Sequence, residues 1–300
     1  MAVTAEAVKT LRERTGAGMM ECKKALVEAN GDLDAAAEAM RKSGLAKADK
    51  KASRVAAEGV IVLERAADGK RAVIVEVNCE TDFVAREKDF QQFASAVAKV
   101  VLDRRPADVA ALGALSIPGA QSIEETRRAL IAKIGENISV RRFTVLEAPA
   151  VVGAYLHGTR IGALVAMKSG DEAVAKDIAM HVAAINPVRV SAAEVPADEV
   201  AKEKAIFIDQ AATEPKNAGK PRELLEKIVE GKVRKWLNEI TLLGQPFVKD
   251  DKQSVEQYLK KAGGEVLSIV RYEVGAGIEK KQEDFAEEVR KTVQGAQGKH

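Results

Sequence analysis

Aromatic side chains are scarce in this chain, 4% of 300 residues with a single Trp. Its cores must therefore be packed from Ala, Val, Ile and Leu, which favours helices and small sheets. Cysteine is scarcer still: Cys22 and Cys79 lie far apart, fit neither a disulfide framework nor a CxxC site, and read as buried or semi-buried thiols in a reducing compartment. An excess of one charge is also missing, since 47 basic and 45 acidic side chains leave a formal +2. That field is too weak to argue for nucleic acid as the main partner, and no basic motif with interleaved aromatics stands in for it. No apolar run approaches the roughly 20 residues a membrane span needs, and nothing near Met1 resembles a signal peptide. The expected location is cytoplasmic.

Catalytic signatures are missing as well. His157, His181 and His300 have no metal-ligand spacing with one another or with either cysteine. His181 shares an apolar helix face with Val174 and Ile178, the place of a satisfied core histidine, whereas His157 sits beside Gly158 at a turn, open to a partner. Each Gly-Lys pair is followed by something other than Ser or Thr, so there is no Walker A loop. Gly16-x-Gly18 and Gly275-x-Gly277 lack the third glycine of a dinucleotide fingerprint, and no nucleophile motif is recognisable. The chain is expected to hold no metal, cofactor or nucleotide and to catalyse no covalent reaction.

What is present is regular. Thr4 can cap a helix carrying Val8 and Leu11 that Thr15-Gly16 closes; a second, with Met20, Ala25, Leu26 and Val27, stops at Asn30-Gly31. Asp32 starts a third, through Leu33, Ala36 and Met40 to Gly44. The resulting bundle over 1–44 is small enough to be marginal alone and suits docking better than chemistry. Met19 and Met20 are either plain core or an exposed, adaptable contact. The Ala/Lys-rich joint at 45–58 reads as part helix and part linker, with Lys47, Lys50, Lys51 and Arg54 on a solvated face.

Two strands, Val60 to Glu64 and Ala72 to Val77, join through Asp68-Gly69. A helix then runs to Leu102, an irregular stretch through Pro106, Gly113, Pro118 and Gly119 follows, and Ser122 to Glu125 forms a capping box for a helix that Gly135 ends. Ile138 to Leu146 is a third strand. The plan repeats: Val151 to Leu156 and Ile161 to Lys168 across His157-Gly158, a helix through Val174, Ile178, Val182 and Ile185, and a late strand, Ser268 to Val274, that echoes Ser139 to Val145 without a gap. The expected fold is α+β, with two related subdomains at 59–147 and 148–278, each a three-stranded antiparallel sheet with helices on one face. An antiparallel helical arm interrupts the second at about 196–243, and Ser254 with Gln257 caps a short helix before the last strand. Residues 279–300 supply a helix from about Glu283, bearing Phe285, Ala286 and Val289, and a tail.

The stretch Asn78-Cys79-Glu80-Thr81-Asp82-Phe83-Val84 stands at the corner between the second strand and the following helix. Two readings of it stay open. Phe83 folds back over the core while Thr81 or Asp82 caps the helix, or Phe83 and Asp82 are offered outward as an apolar anchor and a charge.

The run R-E-R-T-G-A-G-M-M-E-C-K-K-A-L from Arg12 to Leu26, then N-C-E-T-D-F-V-A, K-I-G-E-N-I-S-V-R-R, H-G-T-R-I-G and G-Q-P-F-V, occur in one order. Together they resemble the elongation factor Ts family from about Ala5 to Val293. The resemblance implies a non-enzymatic guanine-nucleotide exchange factor for elongation factor Tu, binding its GDP-bound and nucleotide-free forms away from any membrane. It implies a UBA-like bundle that meets the partner's G domain and a coiled-coil arm that serves partner contact or self-association. Thr81, Asp82, Phe83 and Val84 would dislocate the partner's Mg²⁺, with Arg12, Met19, Met20, Ile134, Gly135 and His157 as further contacts; Gly135 is equally an ordinary helix-end glycine. A competing class is an RNA-binding or chaperone-like module built on the basic joint and the arm, and a third is an enzyme with a polar pocket that sequence does not reveal.

Overall fold

The computed structural model describes residues 3–217 and 219–279, and at 45–49 the backbone alone. Three helices open the chain: α1 (Ala5–Thr15), α2 (Met19–Glu28) and α3 (Leu33–Lys51). The Thr4 hydroxyl accepts the Ala7 N–H at 3.1 Å, and Gly16, at φ +68°, closes α1 in the left-handed region. Val8, Leu11, Cys22, Leu26 and Ala36 make their small core. The third helix does not stop at Gly44 but continues to Lys51. A Cβ at Gly44 would stand 3.0 Å from the Ala132 Cβ, so this glycine permits a close helix contact where the sequence suggested an end.

A hairpin follows, β1 (Glu58–Arg65) with β2 (Arg71–Cys79), then α4 (Asp82–Ala85), α5 (Lys88–Arg104), α6 (Val109–Ala114), α7 (Ile123–Ile134) and β3 (Ile138–Glu147). The sheet order is β1-β2-β3, antiparallel throughout. Phe90, Phe93, Val97 and Val101 of α5 are buried with Val73, Val75 and Val77 of β2, as the helical and two-residue periods require. The stretch read as irregular contains α6. Asp108 caps it by accepting the Ala111 N–H at 2.7 Å, and burial of Leu112 carries the helix through Gly113.

The second half runs β4 (Val151–His157), β5 (Ile161–Ser169), α8 (Glu172–Ile185), α9 (Ala197–Thr213), α10 (Arg222–Ile240), β6 (Pro246–Phe247), β7 (Asp250–Ser254), α11 (Val255–Ala262) and β8 (Glu265–Glu273). Its sheet order, β4-β5-β8, repeats the first. The ribbon of β6 and β7 was not expected. Helices α9 and α10 form an antiparallel pair whose buried seam is Ile208, Ala211, Leu225 and Val229. On the apolar line of α8, Ile185 is exposed and Val174, Ile178 and Val182 are buried.

The two sheets meet through Ile61, Ile74, Val152, Leu164, Ala166 and Tyr272. Strand β2 is therefore buried on both faces, and its even positions 76 and 78 carry a buried Glu and Asn. Among the described residues no helix is long and apolar enough to cross a membrane, and no group of three or more His, Cys, Asp or Glu side chains could hold a metal. The expected C-terminal helix (Glu283, Phe285, Ala286, Val289), the tail with His300 and the side chain of Lys47 lie outside the described residues.

Candidate functional site

Strand β2 ends at Cys79, and Glu80 and Thr81 turn the chain into the single turn α4. Thr81 is its N-cap, extended at φ −123°, with its hydroxyl accepting the Val84 N–H at 3.4 Å. Val84 and Ala85 face the core beside Phe90, which sends Phe83 the other way. Phe83 is 77% exposed, the most open of the exposed large hydrophobic side chains. That excludes the core-cap reading of the ring. Asp82 stands beside it, paired with Arg86 one turn on at 2.7 Å. Of the four motif residues, the corner thus offers Phe83 and Asp82 outward, with Thr81 as cap and Val84 as anchor.

The corner is braced by the segment after α7. Glu136 accepts both Thr81 donors, the N–H at 3.0 Å and the hydroxyl at 2.7 Å. In return Glu80 accepts the Asn137 N–H at 2.6 Å. The Asn137 side-chain amide donates to the carbonyls of Ala52 at 3.4 Å and Arg54 at 2.8 Å, Arg54 pairs with Glu80 at 3.5 Å, and Lys51 donates to the Gly135 carbonyl. The basic joint is therefore not simply a solvated face: Lys51 and Arg54 tie the end of α3 to this knot. Gly135, at φ +93°, closes α7 on the Ile131 carbonyl, and Ile134 packs half-buried against the first core.

The Cys79 thiol donates to the Thr81 carbonyl at 3.1 Å. Burial, then the charges of Glu136, Glu58 and Asp82, push its pKa to about 12, against a lowering by that bond. It is a packed, inert thiol rather than a nucleophile.

The other expected contacts lie on two neighbouring features. Gly16 approaches the Lys133 side chain of α7, where a Cβ would be 3.4 Å from its Cδ, and Lys133 pairs with Asp89 of α5 at 2.5 Å. This seats the bundle on the same end of the first subdomain. Met19 and Met20 begin α2 just beyond that turn, 60% and 74% exposed, so they are not core. Arg12 is exposed on α1, its carbonyl accepting the Gly16 N–H at 2.8 Å. His157 begins the tip of the β4–β5 hairpin, exposed, with Nδ1 3.3 Å from the Tyr155 hydroxyl. That tip reaches the first sheet where β2 ends: the Thr159 carbonyl accepts the Ile61 N–H at 2.8 Å, Arg160 pairs with Glu58 at 2.5 Å, and Glu58 lies opposite Cys79. His181, by contrast, is fully buried and bonded on both ring nitrogens, to Gln245 at 2.9 Å and from the Val248 N–H at 3.2 Å.

Sequence reasoning missed the brace. Glu80, Glu136 and Asn137 lay inside quoted motifs, yet nothing in the spacing of residues 55 apart says which carboxylate meets which amide. Their position directly after a helix-ending glycine and a strand end was the available signal.

Comparison with known proteins matches residues 80–276 to the family described as Elongation factor TS. The chain is 58% identical over 298 residues to Elongation factor Ts of Thioalkalivibrio sulfidiphilus (strain HL-EbGR7), covering 99% of this chain and all of that protein. It is 55% identical over 293 residues to that of Halorhodospira halophila (strain DSM 244 / SL1), covering 98% and 99%. With that of Legionella pneumophila subsp. pneumophila (strain Philadelphia 1 / ATCC 33152 / DSM 7513) it shares 52% over 291 residues, covering 97% and 98%.

Proposed function

The chain belongs to the elongation factor Ts family, and on that premise we propose that it is a guanine-nucleotide exchange factor for elongation factor Tu. It binds the GDP form, displaces Mg²⁺, promotes GDP release and holds the nucleotide-free partner until GTP enters. The observation that carries this reading is Phe83, an apolar ring held out on a one-turn helix whose cap is fixed by Glu136. No covalent step is involved, so the protein is not an enzyme in the chemical sense, and its place of action is the cytoplasm.

The mechanism is a thermodynamic cycle in which factor and nucleotide weaken each other by one coupling free energy. A nucleotide bound in the nM range is held by about 12 kcal/mol, so contact with the empty state has to offset a large part of it. An interface beyond about 2,000 Å² is the size for that task. Phe83 enters as a wedge with Asp82 beside it, shifting the elements that hold Mg²⁺ and the phosphates; losing the metal removes a large share of the charge stabilising GDP. Ile134 and Gly135 add contact near the phosphate loop.

The parts divide accordingly. A UBA-like bundle (1–44), with Arg12, Met19 and Met20, and the first subdomain (59–147) engage the G domain. The second subdomain (148–278), with His157, reaches another domain of the partner, and the arm (196–243) is a coiled coil for partner contact or self-association. Within the joint 45–58, Lys51 and Arg54 are engaged by Gly135 and Glu80.

Stopped-flow release of fluorescent GDP from elongation factor Tu, with excess unlabelled GDP, tests the reading. Release that accelerates with protein concentration upholds it. Unchanged release from a formed complex refutes the wedge.

A further inference from the structure

A helix of four residues does not hold itself, because nucleation fixes several residues for one hydrogen bond. Phe83 adds no packing of its own at 77% exposure, so the geometry of its turn depends on Val84 and Ala85 inside and on Thr81 at the cap. The two donors of that cap residue meet one side chain. Glu136 is half-buried and accepts hydrogen bonds from the Thr81 N–H at 3.0 Å and the Thr81 hydroxyl at 2.7 Å, which leaves the hydroxyl lone pairs turned toward the Val84 N–H. Bonds from a carboxylate in such a place are stronger than neutral ones and fix geometry as well as energy.

Resting on the exchange reading above, we infer that Glu136 is a positioning residue for exchange: it touches neither nucleotide nor metal, but holds the Thr81–Phe83 turn in the attitude from which the ring can act. The same short segment is bound to the bundle end through Asn137 to Arg54 at 2.8 Å and through Gly135 to Lys51. Seating the bundle and aiming Phe83 are therefore mechanically one event. A loose turn still lets the two proteins associate through their wider surfaces, but spends part of that binding on ordering the wedge.

The test uses the full chain with Glu136→Ala and Glu136→Gln. Gln keeps both bonds, its oxygen accepting the Thr81 N–H and its amide donating to a rotated Thr81 hydroxyl, so it preserves the geometry without the charge. Two quantities are read: GDP release from elongation factor Tu across a concentration series, and hydrogen exchange of the Thr81 and Val84 amides in the free protein. Glu136→Ala is expected to lower the maximal release rate about tenfold, with half-saturation moving about threefold or less, and to speed exchange at both amides about tenfold, the scale of one hydrogen bond to a charged group. Glu136→Gln should restore most of both. A full maximal rate in the Ala variant, or loss shared equally by Ala and Gln with the amides still protected, overturns the inference; the latter would make Glu136 a charge contact. If the Ala variant fails to fold, the Gln variant decides alone, since a positioning role requires it to release GDP nearly as fast as the wild type. Should the wild type itself not accelerate release, the exchange reading falls, and the amide data still decide whether Glu136 holds the turn.

Discussion

Phe83 buries little of its area, although the proposed exchange step rests on it. Its ring is open and packs on nothing that holds the fold together, so Phe83→Ala should change stability by about 0.5 kcal/mol or less, as surface substitutions do. Maximal GDP release should nonetheless fall at least about tenfold, the loss expected of an interface hot spot that acts chiefly in the exchange step. Titrating the variant against elongation factor Tu separates the cases: equal loss of rate and affinity would make the ring a simple anchor. His181 is the opposite kind of residue. The Val248 N–H donates to Nδ1, so the ring proton sits on Nε2 and goes to Gln245. Burial lowers its pKa below the ordinary 6.5, and the Gln245 bond only partly resists this. Because the folded state prefers the neutral ring, the stability it protects is present above about pH 6.5 and is lost as pH falls through that value toward the folded pKa. Denaturant midpoints of the wild type should drop between about pH 7.5 and 5.5, and His181→Asn should be less stable at the upper pH yet show a flatter slope. Sequence read His181 correctly because a helix period places it. It left Phe83 open, since at a corner the same tetrapeptide points in or out according to which neighbours find the core, here Val84 and Ala85.

Elements were legible where the signal was local. Both capping boxes, Ser122 with Glu125 and Ser254 with Gln257, are formed as their three-residue spacing implies, and the hairpins follow their turns. Helix α6 was hidden because Gly113 and the flanking prolines mask a cap and one buried Leu, and α3 was cut short because a glycine at a helix contact looks like a glycine at a helix end. Gly153 is a third case, in the middle of β4. Built there, a Cβ would stand 2.1 Å from the Ala175 carbonyl oxygen and 2.9 Å from the Ala175 Cβ, so α8 lies directly on the strand backbone. Either the helix lifts or the strand bends. Gly153→Ala is expected to cost about 1–3 kcal/mol, the range for overpacking, read as a lower denaturant midpoint with an unchanged slope. A midpoint equal to the wild type would show that α8 can shift freely on its sheet.

At the scale of the whole molecule, a fully buried carboxylate stands at the contact between the two sheets. Glu76 of β2 is fully buried; it accepts from Arg142 at 2.6 Å, Arg141 at 3.0 Å, the Asn78 amide at 3.1 Å and the Gly275 N–H at 2.8 Å. The same arginines reach across to the carbonyls of Glu273 and Ala276, and Arg142 lies 4.1 Å over the Tyr272 ring. One carboxylate thus joins the end of β8 to the strand that leads into the Phe83 corner. Burial alone would raise its pKa, but the Gly275 amide, Arg141, Asn78 and Arg142 outweigh it and hold the pKa below the ordinary 4.5. With the folded pKa depressed, the stabilisation is complete above about pH 4.5 and is lost as pH falls through that value to the folded pKa. Glu76→Gln keeps the shape and leaves two arginines facing a neutral amide, which should cost about 3–5 kcal/mol near neutral pH. The gap between variant and wild type should then narrow below about pH 4.5, where the wild type loses the same charge. Denaturation series at several pH values would show it, and a gap constant down to acid would mean that the pair is held by packing rather than charge. If the His157 tip and the Phe83 corner, which lie on different subdomains, both meet elongation factor Tu as proposed, the variant should also bind it less tightly in the folded range, because Glu76 is one of the ties between those subdomains.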